Sequence, residues 1–299
     1  MKKQLFFLIL FILLLPISAK PQEYFSPRNI LKFADYLYRQ HDYLRAAAEY
    51  QRYLTMISPN DSVFYALGLS YEKARKLSAA EAAFAQIPAG FKRSLLLPKA
   101  VLQMSFLWVV QNDTAKISAF ERLQHPGFRP KLVHQALQPL FGVPLLLNGE
   151  IPRAKVYFRK LNRPDFSKAE LPFVKAFEKL AVSGEKIKRK KPILAGAFSA
   201  ILPGLGRFYV GRPGDGLYSM VFIGISGYSA YRGFARHGVR SGRGWILGGL
   251  TTALYLGNVY GSYLSAKIVN EKREHEFRTQ VVLQLDLWHS AHHLGEFIR

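Results

Sequence analysis

Three groups of residues carry side chains that could do chemistry. His289, His292, His293 and Glu296 recur near the C-terminus at intervals that share one helical face, the spacing of a metal-ligand set. No second ligand cluster accompanies them, so a surface or membrane-interface tail without metal is the expectation. Asp215 is the single acid in residues 192–270 and has Arg207 and Arg212 nearby. It reads as the cap of a helix N-terminus or as a proton or ion site, and a pair with either arginine suits both. Residues 185–191 (EKIKRKK) form a basic run. Its natural contact is an anionic lipid or glycolipid headgroup, the alternative being a solvated linker.

No catalytic constellation joins these groups. The chain has no phosphate-binding loop, no G-x-S-x-G and no H-E-x-x-H. It has no cysteine, which excludes a disulfide scaffold, a thiol nucleophile and a Cys-ligated metal. The expectation is a protein that is not an enzyme, with no cofactor, no metal and no catalytic residue.

The elements that would position such residues fall into segments. The chain has 299 residues, 42 Lys and Arg against 20 Asp and Glu, and a mean hydropathy of zero, so charge and apolar residues are segregated along it. Lys2 and Lys3 precede an uncharged apolar run over residues 4–16, and Ile17-Ser18-Ala19 offers a small-residue cleavage site. Residues 1–19 therefore read as a signal peptide, cleaved or retained as an anchor. Export makes nucleic acid a poor partner despite the net charge of +22 and leaves lipid headgroups and acidic proteins.

Residues 20–184 show an internal period. Ile30, Phe33, Ala34 and Leu37 precede Ala46 and Tyr50, and Phe64, Leu67, Gly68 and Tyr71 precede Ala80 and Phe84. Ile30 to Phe64, Ala46 to Ala80 and Tyr50 to Phe84 are each 34 residues apart. Small Ala46 and Ala80 let a second helix approach the first, and Tyr50 and Phe84 fill the gap between them. A looser unit has Phe141, Gly142 and Leu145 before Ala154 and Phe158, with Ala154 following Ala80 by 74 residues, so an insertion is expected between. Pro144 implies a bend or a late start in its first helix. Leu102, Phe106, Ala115 and Ala119 could build a degenerate pair between these units, and residues 167–180 a terminal helix with Ser167 and Glu170 as capping box. These residues resemble the tetratricopeptide repeat, although the family usually has Gly where His41 stands at the turn. The resemblance implies a solenoid of helix pairs whose groove binds a protein or peptide. In that family the groove lies on the first helices, making Lys32, Tyr36, Arg39, Tyr65 and Lys73 the candidates. The segment carries 24 Lys and Arg against 13 Asp and Glu, suiting an acidic or C-terminal carboxylate ligand or simply a solvated basic surface.

Residues 192–270 read as a membrane domain following the 185–191 linker. Residues 192–211 are broken by Pro203, Gly204 and Gly206 and read as a re-entrant or interfacial helix. Residues 216–231 and 244–266, of 16 and 23 uncharged residues, read as spans. Arg232, Arg236, Arg240 and Arg243 lie between them, on the cytoplasmic side if residues 192–211 do not cross. Gly249, Ala253, Gly257, Gly261 and Ser265 recur every four residues, a small-residue ridge for helix–helix packing against residues 216–231 or a second copy of the chain. Pro203, Gly204, Gly206, Arg207, Tyr209 and Gly211, followed by Asp215, resemble the opening motif of a small two-span bacterial membrane domain, most of whose members have no assigned activity. Residues 271–299 form a polar tail in which 271–280 continue the helix before them and 281–288 alternate, as a short strand or interfacial helix.

The expected fold is all-α: a tetratricopeptide-like solenoid followed by a membrane helical hairpin with a re-entrant or interfacial lead-in helix. The expected function is a membrane-anchored envelope scaffold whose exported repeats bind a protein or peptide. The alternative is an accessory subunit of a transport or insertion machine acting through its glycine-rich spans. The expected location is a bacterial inner membrane, with the repeats periplasmic or external. Anionic headgroups are expected as lipid partners, and the ridge allows a homo-oligomer.

Overall fold

The computed structural model describes residues 26–122 and 131–295; the expected signal segment and Glu296 lie outside them. The described residues are helical with no strand. The described residues divide into two compact units, 26–122 with 293–295, and 131–292.

The first unit contains α1 (Pro27–Arg39), α2 (Tyr43–Met56), α3 (Asp61–Lys73), α4 (Leu77–Gly90), α5 (Leu97–Val110) and α6 (Thr114–Arg122). Successive helices pack on one another in a solenoid-like arrangement compatible with a helical repeat. Ile30, Ala34, Leu37, Ala46, Ala47 and Tyr50 are buried, as the spacing requires, but Phe33 is 49% exposed and stacks on exposed Tyr36 at 6.5 Å. The small residue on the first helix makes room for a ring on the second: a Cβ at Gly68 would stand 2.5 Å from Phe84 Cε1.

The second unit begins with α7 (Lys131–Phe141), α8 (Val143–Leu147), α9 (Ile151–Leu161) and α10 (Leu171–Glu185). Gly142 repeats the relation of Gly68, since a Cβ there would meet Phe158 Cζ at 2.4 Å. The turns carry a still clearer repeat. His41, Arg75, Asn112 and Gly149 all adopt positive φ, 54–76°, in the turns before α2, α4, α6 and α9. After each, the next amide donates back across the turn: Asp42 to Leu37, Lys76 to Tyr71, Asp113 to Trp108 and Glu150 to Leu145, at 2.8–2.9 Å. This is the helix-ending motif that glycine favours. The four turns are 34, 37 and 37 residues apart, so the 74-residue offset is two lengthened repeats rather than one insertion. A side chain at left-handed φ costs about 1 kcal/mol. Arg75→Gly is therefore expected to raise stability by about that amount, read as a higher midpoint in urea with an unchanged slope.

Downstream lie α11 (Pro192–Ile201), α12 (Leu205–Tyr209), α13 (Pro213–His237), a 3₁₀ turn (Gly238–Arg240) and α14 (Gly242–Ala291). α14 packs against α11 and α13 over its first half and against α10 further along. Residues 271–280 thus continue α14, and 281–291 extend the same helix rather than forming a strand. Phe277, Val281, Leu285 and Trp288 recur at helical spacing and are all buried, and Gly184 of α10 leaves the space that Phe277 fills. The Ser167–Glu170 capping box does not form, since Glu170 is the residue before α10 and its carboxylate is used elsewhere.

Among the described residues, no helix is long and apolar enough to cross a membrane. This corrects the reading of 216–231 and 244–266 as spans. The uncharged part of α13 is bounded by Asp215 and Arg232, and that of α14 is diluted by Thr251, Thr252, Tyr255, Asn258, Tyr260 and five glycines. Freedom from charge was not apolarity. The lead-in is two short helices, α11 and α12, broken at Leu202–Gly204.

Candidate functional site

The proposed groove residues divide. Lys32, Tyr36 and Arg39 on α1 and Lys73 at the end of α3 are exposed. Tyr65 is 2% exposed, and its hydroxyl donates to the backbone oxygen of Leu294 at 2.8 Å. Leu294 is fully buried. The chain's own C-terminal segment therefore covers Tyr65, which is removed from the accessible candidates. Phe33, beside Tyr36, joins them.

Neighbouring helices of the first unit are stitched together by carboxylates that the sequence did not single out. Tyr50 donates to Asp35 at 2.7 Å, Gln103 donates to Glu72, and Trp108 donates to Glu81 at 2.8 Å. Burial pushes the Glu72 carboxyl up, more strongly than the Gln103 bond and the Lys73 and Arg75 charges pull it down. A buried acid within a basic segment makes this seam a structural tie.

In the second unit the histidine cluster is a clasp. Glu170, 4% exposed, accepts from Trp288 Nε1 at 3.1 Å and faces His292 Nε2 at 2.8 Å. His292 Nδ1 faces the Trp288 backbone oxygen, also at 2.8 Å. Among the described residues no group of histidines and acids has a geometry for a metal ion.

The glycine motif has a steric origin. A Cβ at Gly206 would stand 1.8 Å from the Ala195 backbone oxygen, and one at Gly204, where φ is +89°, would stand 2.1 Å from that of Gly216. Ser199, fully buried, accepts from the Gly206 amide at 3.0 Å and bonds Ser262 at 2.7 Å. Tyr209 stacks edge-on to Phe198, and its hydroxyl accepts from the Lys191 amide at 3.1 Å. Pro203 and Gly211 occupy the breaks before α12 and after it, Gly211 with φ +85°. Asp215 lies in the first turn of α13, where negative charge is favoured, and pairs with Arg212 at 2.6 Å rather than with the Arg207 side chain.

The small-residue ridge does not mediate packing inside the chain over most of its length. Added Cβ atoms at Gly249 and Gly257 would meet nothing within 4 Å, and Ala253 is exposed. α13 and α14 cross instead at Gly233 and Gly244 and through the Thr251–Ser226 hydroxyl bond of 2.9 Å. At Gly261 the ridge seats the Arg207 guanidinium, and Ser265 is buried with its hydroxyl bonded to the Gly261 oxygen.

The basic run is not a free linker. Asn270 accepts from the Lys190 amide and donates to the Lys190 oxygen, both at 2.8 Å, and Arg273 donates to the Lys188 oxygen at 2.8 Å. Arg189 pairs with Glu274 at 3.1 Å. Lys186, Lys188, Lys190 and Lys191 meet no carboxylate among the described residues. The strap is thus tied to α14 through its backbone and carries four lysines that pair with no acid among the described residues, Lys190 lying over the Tyr209 ring at 4.7 Å.

Between Ile193 and Ile268 lie 22 of the 33 exposed large apolar side chains among the described residues. They include Leu217, Val221, Phe222, Ile225 and Tyr228 of α13 and Trp245, Ile246, Leu250 and Leu256 of α14. No family model, curated protein or solved structure matches the chain. Its functional reading therefore rests on these surfaces.

Proposed function

We propose that the protein is an envelope scaffold: helical repeats that hold a protein or peptide partner, carried by a glycine-rich hairpin (α11 to the first half of α14) seated in lipid. The observation that carries this reading is the apolar surface of residues 193–268, far denser in exposed large side chains than the rest of the described chain. Water-facing proteins rarely leave so extended a patch uncovered. Its borders are cationic, with the Lys186–Lys191 strap on one side and exposed Arg232, Arg236, Arg240 and Arg243 on the other. That distribution suits a surface of anionic headgroups over an apolar interior. Seating of this kind requires contact with the acyl region, not a complete crossing.

The repeats supply the second half of the reading. Phe33 and Tyr36 form an exposed aromatic pair beside Lys32 and Arg39, the mixture common at interface anchors. Crosslinking in native membranes tests it. Full-length protein is expected to capture a defined partner that is lost, by tenfold or more, in the combined variant Tyr36→Ala and Arg39→Glu. Equal capture by both proteins would remove the repeats from partner binding and leave the hairpin, as an accessory subunit of a transport or insertion machine, as the acting part.

A further inference from the structure

Asn258 is 4% exposed, and neither its amide nitrogen nor its amide oxygen has a hydrogen-bond partner. A buried primary amide left wholly unpaired costs about 1–3 kcal/mol, so its presence asks for a reason. Asn258 lines a cleft of about 340 Å³ between α12, α13 and α14, and Arg207 lines the same cleft. The Arg207 guanidinium lies over Gly261 and reaches the Asp215 backbone oxygen at 3.5 Å. Its Nε is buried without a partner, and no carboxylate pairs with it among the described residues. The nearest acid, Asp215, is engaged by Arg212. The remaining wall is mostly apolar and aromatic, with Tyr218, Phe222, Ile223 and Leu254, and with Ser219, whose hydroxyl donates to the Asp215 backbone oxygen. An uncompensated cation and an unsatisfied amide thus line one largely apolar cleft.

We propose that this cleft binds an anionic amphiphile, a phosphate monoester on an apolar chain. The anionic oxygens accept from Arg207 and from the Asn258 Nδ2 group, a charge-assisted arrangement. A singly protonated monoester also offers an O–H to Asn258 Oδ1, so one headgroup satisfies both ends of the unpaired amide. The chain lies along Tyr218, Phe222 and Leu254, as apolar walls with a few convergent polar groups require. The small residues Ala253 and Gly257 keep the cleft open, which gives the outward ridge a use that packing inside the chain does not.

The test uses full-length protein in dodecyl maltoside, an uncharged detergent, with dodecyl phosphate as probe and inorganic phosphate as control, read by calorimetry. Dodecyl phosphate is expected to bind, and inorganic phosphate to bind at least tenfold more weakly. Arg207→Gln is expected to weaken dodecyl phosphate at least tenfold, with Lys179→Gln, an exposed position on α10 outside the hairpin, leaving it unchanged. Asn258→Leu is expected to weaken binding severalfold while raising the unfolding midpoint without ligand, because it removes unpaired polar atoms from a buried site. A residue that only supported the fold would move both readouts down together. Equal binding by wild type and Arg207→Gln, or no binding by wild type, would overturn the proposal. Equal affinity for inorganic phosphate would reduce the site to a soluble-anion site and overturn the amphiphile. Loss in the combined variant Lys188→Gln and Lys190→Gln, with Arg207→Gln unaffected, would place the anion on the strap instead and overturn the proposal.

Discussion

Gly206→Ala is expected to abolish the folded junction of α11, α12 and α13. The added methyl would sit 1.8 Å from the Ala195 backbone oxygen, and neither backbone can yield without breaking the Ser199–Gly206 and Ser199–Ser262 bonds. Ordinary overpacking costs about 1–3 kcal/mol, where side chains can move aside; here the obstacle is main chain, and the cost exceeds that range. Gly249→Ala is the matched control, because its Cβ meets nothing within 4 Å, and alanine favours a helix by about 1 kcal/mol over glycine. Limited proteolysis should find the segment around residues 202–212 protected in wild type and Gly249→Ala and cleaved rapidly in Gly206→Ala. Equal protection in all three would show that the close approach of Gly206 to Ala195 is not what holds the junction.

The second large effect is expected at the clasp that closes the end of α14. Trp288 is fully buried, and Trp288→Ala should cost about 3–5 kcal/mol in the second unit. The clasp also makes stability depend on pH. Both His292 ring nitrogens face acceptors, so the bonded form is the imidazolium. Burial lowers the His292 pKa, but the Glu170 bond, the Trp288 oxygen and the Glu170 charge together outweigh it and raise it above the ordinary value of 6.5. The unfolded chain titrates near 6.5. The stabilisation is therefore full below that pH and is lost as pH rises through the raised value in the folded protein. The resistance of wild type to denaturant should fall as pH rises above about 6.5, and His292→Gln should flatten that slope. A wild-type slope that persists in His292→Gln would assign the pH dependence to another group.

The repeat was legible wherever sterics dictates residue size. Ala46 and Ala80 face close helix contacts, and Tyr50 and Phe84 fill the gaps, so their 34-residue interval is visible in the sequence. The later pairs were blurred because their common feature is a backbone angle. His41, Arg75, Asn112 and Gly149 share left-handed φ but no chemistry. Tyr65 could not be read correctly from its own helix, since what covers it lies 229 residues away in sequence. In the hairpin, uncharged stretches were read as apolar, and polar Thr, Tyr and Asn side chains set the difference. That the Asn258 amide is left without a partner, and that Arg207 shares its cleft, is set by the packing of three helices and is not visible in the sequence. The four-residue ridge was visible as a pattern, but the crossing of α13 and α14 uses Gly233 and Gly244 instead.

The seating of the hairpin in lipid is tested most directly by a polarity-sensitive fluorophore, which the absence of native cysteine allows to be placed at one position at a time. Ile225→Cys labels the exposed apolar surface of α13, and Lys179→Cys labels an exposed position on α10 outside it. On addition of vesicles containing anionic lipid, the label at residue 225 is expected to shift to the blue, to be quenched by lipid-borne nitroxide and to become shielded from aqueous iodide. The label at residue 179 is expected to remain open to iodide. Emission and iodide quenching at residue 225 that stay unchanged when vesicles are added would contradict lipid seating and leave the apolar surface to a protein partner.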